Sequence, residues 1–367
     1  MRTGGGRCAH TNGGHAVTRP LPTLMVVPTG IGCEIGGFAG DALPSARCLA
    51  AASGCLITHP NVMNGAALYW RDPRIHYVEG YALDRFAAGD LRLRPVRRQR
   101  IGLLLDAGIE ADLRQRHLQV ADGCRATLGL EIGPVVTSDV PLGVTLEQGE
   151  SGASWGTMQR PDALLRAGER LKAAGATAIA VVARFPEDSD ATALEAYRHG
   201  SGVDALAGAE AVISHLLVRH LQLPCAHAPA LGALPLDPDL DPRAAGEELG
   251  HTFLACVLVG LAQAPSLVAA SGSVHAEDLA AEQLGAMVVP DGALGGEAVL
   301  ACLERLIPVI AVHNPGVLSV TAEALALGEQ VLKASSYAEA AGLLMALREG
   351  IAPQALMRPL PGLRELS

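Results

Sequence analysis

Two runs, Ile101-Gly102-Leu103-Leu104-Leu105 and Ala178-Ile179-Ala180-Val181-Val182, carry no polar side chain at any position. A strand wetted on one face alternates apolar with polar residues, whereas a strand covered by helices on both faces does not. Such runs alternate with helical stretches through most of the chain. That alternation predicts an α/β protein with mostly parallel, helix-covered sheets in Rossmann-like layers, arranged in one or two lobes. Strands are expected at 23–28, 54–58, 76–79, 101–105, 133–137, 177–183, 286–290 and 308–312. Helices are expected at 39–52, 109–127, 161–174, 205–221, 242–263, 296–305 and 336–349. Asp241 before Pro242 supplies an N-cap with proline at the first helical position, and Asp204 before an Ala-rich run reads the same way.

A length of 367 residues accommodates two α/β lobes. The Gly-rich, weakly patterned stretch 142–158 sets the expected boundary, giving an N-terminal lobe at 21–150 and a C-terminal lobe at 151–367. Residues 1–20 are rich in Gly and Arg, lack an apolar core, and are expected to form a disordered leader. Hydrophobic residues make up 49% and aromatics only 3%, so the core must be closely packed Ala, Val and Leu. A net charge of −10 argues against a nucleic-acid partner, which draws on clustered cations. The one basic cluster, Arg92 to Arg100, is expected to be a solvated hairpin face. No apolar run reaches the roughly 18 residues a membrane span requires. Eight cysteines without a C-x-x-C pair fit free thiols in a reducing cytoplasm. Lys172 and Lys333 are the only lysines, which leaves little scope for Schiff-base chemistry.

Polar residues concentrate where strands end. The loop Pro28-Thr29-Gly30-Ile31-Gly32-Cys33-Glu34-Ile35-Gly36-Gly37 follows the first strand. It matches neither nucleotide-binding fingerprint, so no nucleotide cofactor is implied. Thr29, Gly30, Gly32, Gly36 and Gly37 could offer amides to a carboxylate or phosphate, or the loop could be a plain strand-to-helix turn. His59, Asn61 and Asn64 follow the second strand, where an imidazole and two carboxamides suit a carbonyl or oxyanion. Asp106 stands at the tip of strand 101–105 as a base or a helix cap, with Glu110 one turn on.

Cys225 and His227 alternate onto one face of a short extended piece, as a thiolate and its base or as metal ligands with His215. A divalent metal is left open. Glu248 and His251 are spaced i, i+3, half of a carboxylate-bridged metal pattern. Gly152-Ala153-Ser154-Trp155-Gly156 spells G-x-S-x-G without the strand–turn–helix context of a nucleophile elbow. Gly295 and Gly296 precede a helix and offer further amides to substrate.

Several longer segments together resemble a family of bacteria and plant plastids catalogued as domain of unknown function number 3326. They include Val27-Pro28-Thr29-Gly30-Ile31-Gly32, Thr58-His59-Pro60-Asn61-Val62-Met63-Asn64-Gly65, Tyr77-Val78-Glu79-Gly80-Tyr81, Asp106-Ala107-Gly108-Ile109-Glu110, Ile213-Ser214-His215-Leu216 and Pro224-Cys225-Ala226-His227-Ala228-Pro229. The resemblance runs from about residue 23 to the C-terminus, departs at His313-Asn314-Pro315, and implies no particular reaction.

The resulting expectation is a cytoplasmic enzyme acting on a small anionic metabolite by acid/base catalysis, as an isomerase, lyase or hydrolase. His59 and His227 would move protons and Asp106 would act as base or orienter. Asn61, Asn64 and Arg184 would contact the substrate, and the chain would form a homo-oligomer. Two alternatives stand beside it: a metal-dependent hydrolase using His215, Cys225 and His227, and a non-catalytic metabolite-binding protein.

Overall fold

The apolar runs become strands of two parallel sheets in the computed structural model, which describes residues 19–186, 191–249, 252–360 and 362–363. The larger sheet holds Thr23–Met25, Leu56–Thr58, Ile75–Tyr77, Ala286–Pro290, Val309–Val312 and Val331–Ala334, every neighbour parallel. Counted within the sheet, the strands lie in the order 3-2-1-4-5-6. That is the doubly wound order, in which a crevice opens where the winding reverses, here between Thr23–Met25 and Ala286–Pro290. The smaller sheet places Cys225–Ala230, Ala178–Arg184, Ile101–Leu105 and Ile132–Thr137 side by side, again all parallel. Its central strands are buried at nearly every position, as their unbroken apolar character requires.

The smaller sheet is formed by chain lying between the third and fourth strands of the larger one. The division into lobes at residue 150 is therefore redrawn: the larger sheet takes its strands from both ends of the chain and the smaller from the middle. A single apolar core runs through both. With few aromatics available, Phe86 and Phe185 are its largest fully buried side chains.

Three expectations are corrected. The stretch 142–158 is an antiparallel hairpin, Val144–Gln148 against Ser154–Met158, in which Thr145 and Thr157 share a 2.6 Å hydroxyl bond. The Arg92–Arg100 cluster is solvated at Arg97, Arg98 and Arg100, but it is not a hairpin. Strand Leu91–Arg94 pairs with the distant Ser266–Ala269, Arg92 donates to the carbonyl oxygens of Ala270 and Gly272, and Arg94 grips Asp278 in a two-pronged contact. Helix 242–263 is two helices, Pro242–Glu248 and Leu254–Leu261, the second entered through Phe253 at φ 55°. Asp241 does cap the first of them, accepting from the Arg243 N–H. His251 and the leader up to residue 18 lie outside the described residues. Among the described residues no helix is long and apolar enough to cross a membrane.

The glycine-rich loop is stapled by Asn314, which is buried. Its side chain accepts from the Ile35 N–H at 2.9 Å and donates to the Ile35 carbonyl at 2.8 Å and the Tyr337 hydroxyl at 3.0 Å. Replacing Asn314 by Ala removes three hydrogen bonds, two to Ile35 and one to the buried Tyr337 hydroxyl, so urea unfolding is expected to show a loss of about 2 kcal/mol. A stability equal to the wild type would show that the staple is dispensable.

Candidate functional site

Helix Ala207–Leu221 joins the two sheets, packing on strand Cys225–Ala230 and on helix Gly80–Ala88. Glu210 and Ser214 stand one turn apart on it and so share a face. With His215 and His227 they line a cavity of about 80 Å³, completed by strand-end residues of the larger sheet that include Thr29, His59, Asn61, Asn64 and Glu79. Asp204, just before the helix, lines this cavity and also an adjoining one of about 40 Å³, which Glu247 lines as well.

His59 follows strand Leu56–Thr58 directly, and its Nε2 accepts the Val27 N–H at 3.0 Å. The ring's hydrogen must then sit on Nδ1. Burial, reinforced by the charge of His215, pushes the His59 pKa down to about 4. His59 is thus a neutral imidazole at physiological pH. Side-chain NMR of selectively ¹⁵N-labelled histidine is expected to show it neutral and Nδ1-protonated down to about pH 5; a titration near pH 6.5 would refute the assignment.

His215 has the opposite bias. Burial alone would lower its pKa, but the Glu79 carboxylate, 2.5 Å from Nδ1, raises it on balance. Glu79 itself is fixed by capping helix Gly80–Ala88 through the N–H groups of Tyr81 and Ala82. Gly80 admits this contact, because a Cβ there would stand 3.0 Å from the His215 ring.

His227 lies between two groups of helix Ala207–Leu221: its Nδ1 is 2.7 Å from Ser214 Oγ and its Nε2 is 3.5 Å from Glu210 Oε2. The Ser214 hydroxyl also reaches the Glu210 backbone carbonyl at 3.2 Å. Asp204 accepts from the Leu206 N–H at 2.9 Å, and burial, then the nearby Glu210 charge, lifts its carboxyl to about 7. Glu247 is raised well above the carboxylate range by burial and by Asp204, and its Oε2 accepts from the Tyr197 hydroxyl at 2.5 Å and the Ala39 N–H at 3.2 Å. One cavity wall therefore offers a carboxyl that exchanges its proton near neutrality, and another a neutral imidazole. Groups whose environments displace their pKa values in this way suit proton transfer.

The sequence-derived candidates divide. His59, His227, Asn61, Asn64 and Thr29 line the cavity, and His215 joins them. Asn61 is also structural, donating to the carbonyls of Val27 and Gly36, while Asn64 Oδ1 accepts the Tyr77 hydroxyl. Asp106 is elsewhere: it accepts from the N–H groups of Gly108, Leu142 and Arg184, knotting the strand ends of the smaller sheet. Arg184 pairs with Glu110 through both Nε and Nη2, outside the cavity.

Cys225 is fully buried, its sulfur directed at the Leu223 carbonyl and its pKa raised well above 9 by burial, so it is a thiol rather than a thiolate. The set His215, Cys225 and His227 does not converge, and among the described residues no group of three or more His, Cys, Asp or Glu is arranged to hold a metal.

Three amides of the glycine loop are engaged by the protein itself. The Gly36 amide is taken by Asp41, the Ile35 amide by Asn314 and the Glu34 amide by Pro315. Gly30 accepts from the Ser154 amide, Gly32 packs on Gly202, and the Gly37 carbonyl faces the Tyr197 hydroxyl. Ser154 sits on a hairpin strand, its Oγ accepting from the Gly208 N–H. Gly295 packs near Val320, and Gly296 is the N-cap of helix Glu297–Glu304, both away from the cavity. Asp204, Glu79, Glu210, Ser214 and Glu247 were absent from the sequence-derived set. The i, i+4 pairing of Glu210 with Ser214 opposite a strand histidine was their one local signal.

Fold and cavity together define a two-sheet α/β protein with a cleft between its sheets lined by carboxyl and imidazole groups. The chain belongs to the family described as "Protein of unknown function (DUF3326)", whose model matches residues 22–357. It is similar to an uncharacterised lipoprotein of Synechococcus sp. (strain ATCC 27144 / PCC 6301 / SAUG 1402/1), 56% identical over 350 residues that cover 95% of this chain and 96% of that one. No solved structure matches.

Proposed function

We propose that the chain is an acid/base enzyme of the isomerase, lyase or hydrolase type acting on a small polar metabolite in the cleft between its sheets. The supporting observation is the pairing of Asp204, with its carboxyl at about 7, and neutral His59 on one cavity. Asp204 exchanges the substrate proton, His59 donates its N–H to the oxygen that gains charge, and His227, held by Ser214 and facing Glu210, serves as the second proton carrier. Among the described residues no Lys or Arg lines either cavity, whereas Asp204, Glu79, Glu210 and Glu247 do. The substrate is accordingly uncharged or cationic, not the anion expected from the glycine loop.

A cytoplasmic location is part of the proposal, since the seven described cysteines are all unpaired. The name lipoprotein belongs to the Synechococcus relative, and cell fractionation with a tagged chain separates the two locations. To test the activity, the protein is incubated in D₂O with pools of small hydroxy, carbonyl and amino metabolites and followed by proton NMR. The expected result is loss of a substrate C–H signal or appearance of product. Metabolites that bind at micromolar concentration but never exchange or react would make the chain a binding protein instead.

A further inference from the structure

A cavity that adjoins the candidate site is mainly apolar. It has a volume of about 230 Å³, and its walls include Leu194, Val203, Leu206, Leu231, Leu234 and Phe253. It is continuous in its walls with the two polar cavities: Leu206, Glu247 and Phe253 line both the apolar chamber and the 40 Å³ cavity, and Asp204 lines all three. The polar groups among its walls are already engaged. Tyr197 is bonded to Glu247, and Arg198 is held by Glu248 and the Pro235 carbonyl. Those groups offer an entering molecule little polar contact, while the leucines offer area.

The rim is apolar too. Leu194 is 37% and Leu234 38% exposed, and Leu236, two residues on, is fully exposed. Leaving such side chains wet costs free energy that an apolar occupant recovers. A cleft with polar groups at one end and an apolar chamber at the other is the usual shape of a site that binds an amphipathic small molecule.

Building on the acid/base reading of the cleft, we propose that the substrate carries an alkyl or other apolar chain. Its polar head sits at Asp204 and His59, and its tail fills the chamber lined by Leu206, Leu231 and Phe253. The class is an amphipathic metabolite with an uncharged or cationic head, such as a long-chain alcohol, carbonyl compound or amine. The tail would fix the head beside Asp204, so chain length would act mainly on binding.

The test is calorimetric titration of the full chain with alkan-1-ols and alkylamines of two to twelve carbons. Affinity is expected to rise roughly fourfold per methylene and then level off once the chamber is full. Ala193→Trp, which fills the chamber from helix Ala191–Arg198, is expected to lower the length at which the rise stops; Ala193→Phe serves if the Trp variant fails to fold. Affinity independent of chain length overturns the proposal, as does a rise that a folded Ala193 variant leaves unchanged. Neither result bears on proton exchange in D₂O, so the catalytic reading can fail or stand separately.

Discussion

Asp204→Asn is expected to lower turnover by at least a hundredfold and, in the same protein, to raise the melting temperature at pH 8. The catalytic loss follows from removing a positioned acid/base group, typically worth a factor of 10² to 10⁴. The stability gain follows from the raised carboxyl. Its folded-state value of about 7 lies above the ordinary 3.8. The folded protein therefore holds this proton more tightly than the unfolded chain does. That contribution is complete below pH 3.8 and is lost as pH rises through 7. At pH 8 the wild type bears the full cost of an ionised, crowded carboxylate, and asparagine does not.

At full weight such a displacement is worth roughly 4 kcal/mol; partial access to water and the neighbouring carboxylates reduce it to about 2 kcal/mol, or some 3 °C. The gain should shrink as pH falls toward 4. His59 works in the other direction: with its value lowered to about 4, it costs stability as pH drops below 6.5. Thermal melts of both proteins from pH 4 to 8 read the difference directly. A variant that loses activity without gaining stability at pH 8 would leave Asp204 a contact residue with an ordinary carboxyl.

Gly40→Ala is expected to unfold the cavity wall. Gly40 sits at φ +84°, and its N–H donates to the Asn61 carbonyl at 2.8 Å. A Cβ there would stand only 2.0 Å from the Asn64 carbonyl oxygen and 2.9 Å from the Ala66 nitrogen. Both are backbone atoms, so no side-chain rotation relieves the overlap. The left-handed conformation adds about 1 kcal/mol and the overlap about 1–3 kcal/mol, for a total near 3 kcal/mol and a melting temperature lower by roughly 4 °C. Because Asn61 and Asn64 move with the wall, ligand binding should fall along with stability. A wild-type melting temperature would mean that the turn has room the geometry denies it.

Much of the scaffold was legible because it obeyed local rules. Strands 101–105 and 178–182 announced burial on both faces by their composition, and Asp241-Pro242 marked a helix start by cap chemistry. What stayed hidden depended on distant pairing. Nothing near Thr23–Met25 reveals that Ala286–Pro290 lies beside it, and nothing in Leu91–Arg94 reveals Ser266–Ala269. The break at Phe253 was hidden because the capped helix start at Asp241-Pro242 and the apolar run Leu254–Leu261 lie close enough in sequence to be read as one helix.

The site divided along the same line. His59 stood out beside two carboxamides at a strand end, and His227 by its alternation with Cys225. Asp204 read as an ordinary helix-start carboxylate and Glu79 carried no reading of its own; both face the cavity only once distant elements pack around them. Asp106 misled for the converse reason: a strand-tip carboxylate looks alike whether it faces substrate or three backbone amides.

The interleaved order of the strands also bears on how the chain emerges from the ribosome. The smaller sheet is complete once residue 230 has been made, whereas Thr23–Met25 must wait for Ala286–Pro290 to be synthesised before its second edge is covered. For that interval the N-terminal β-α-β segment carries an open, adhesive border, and the middle of the protein is the part able to consolidate first.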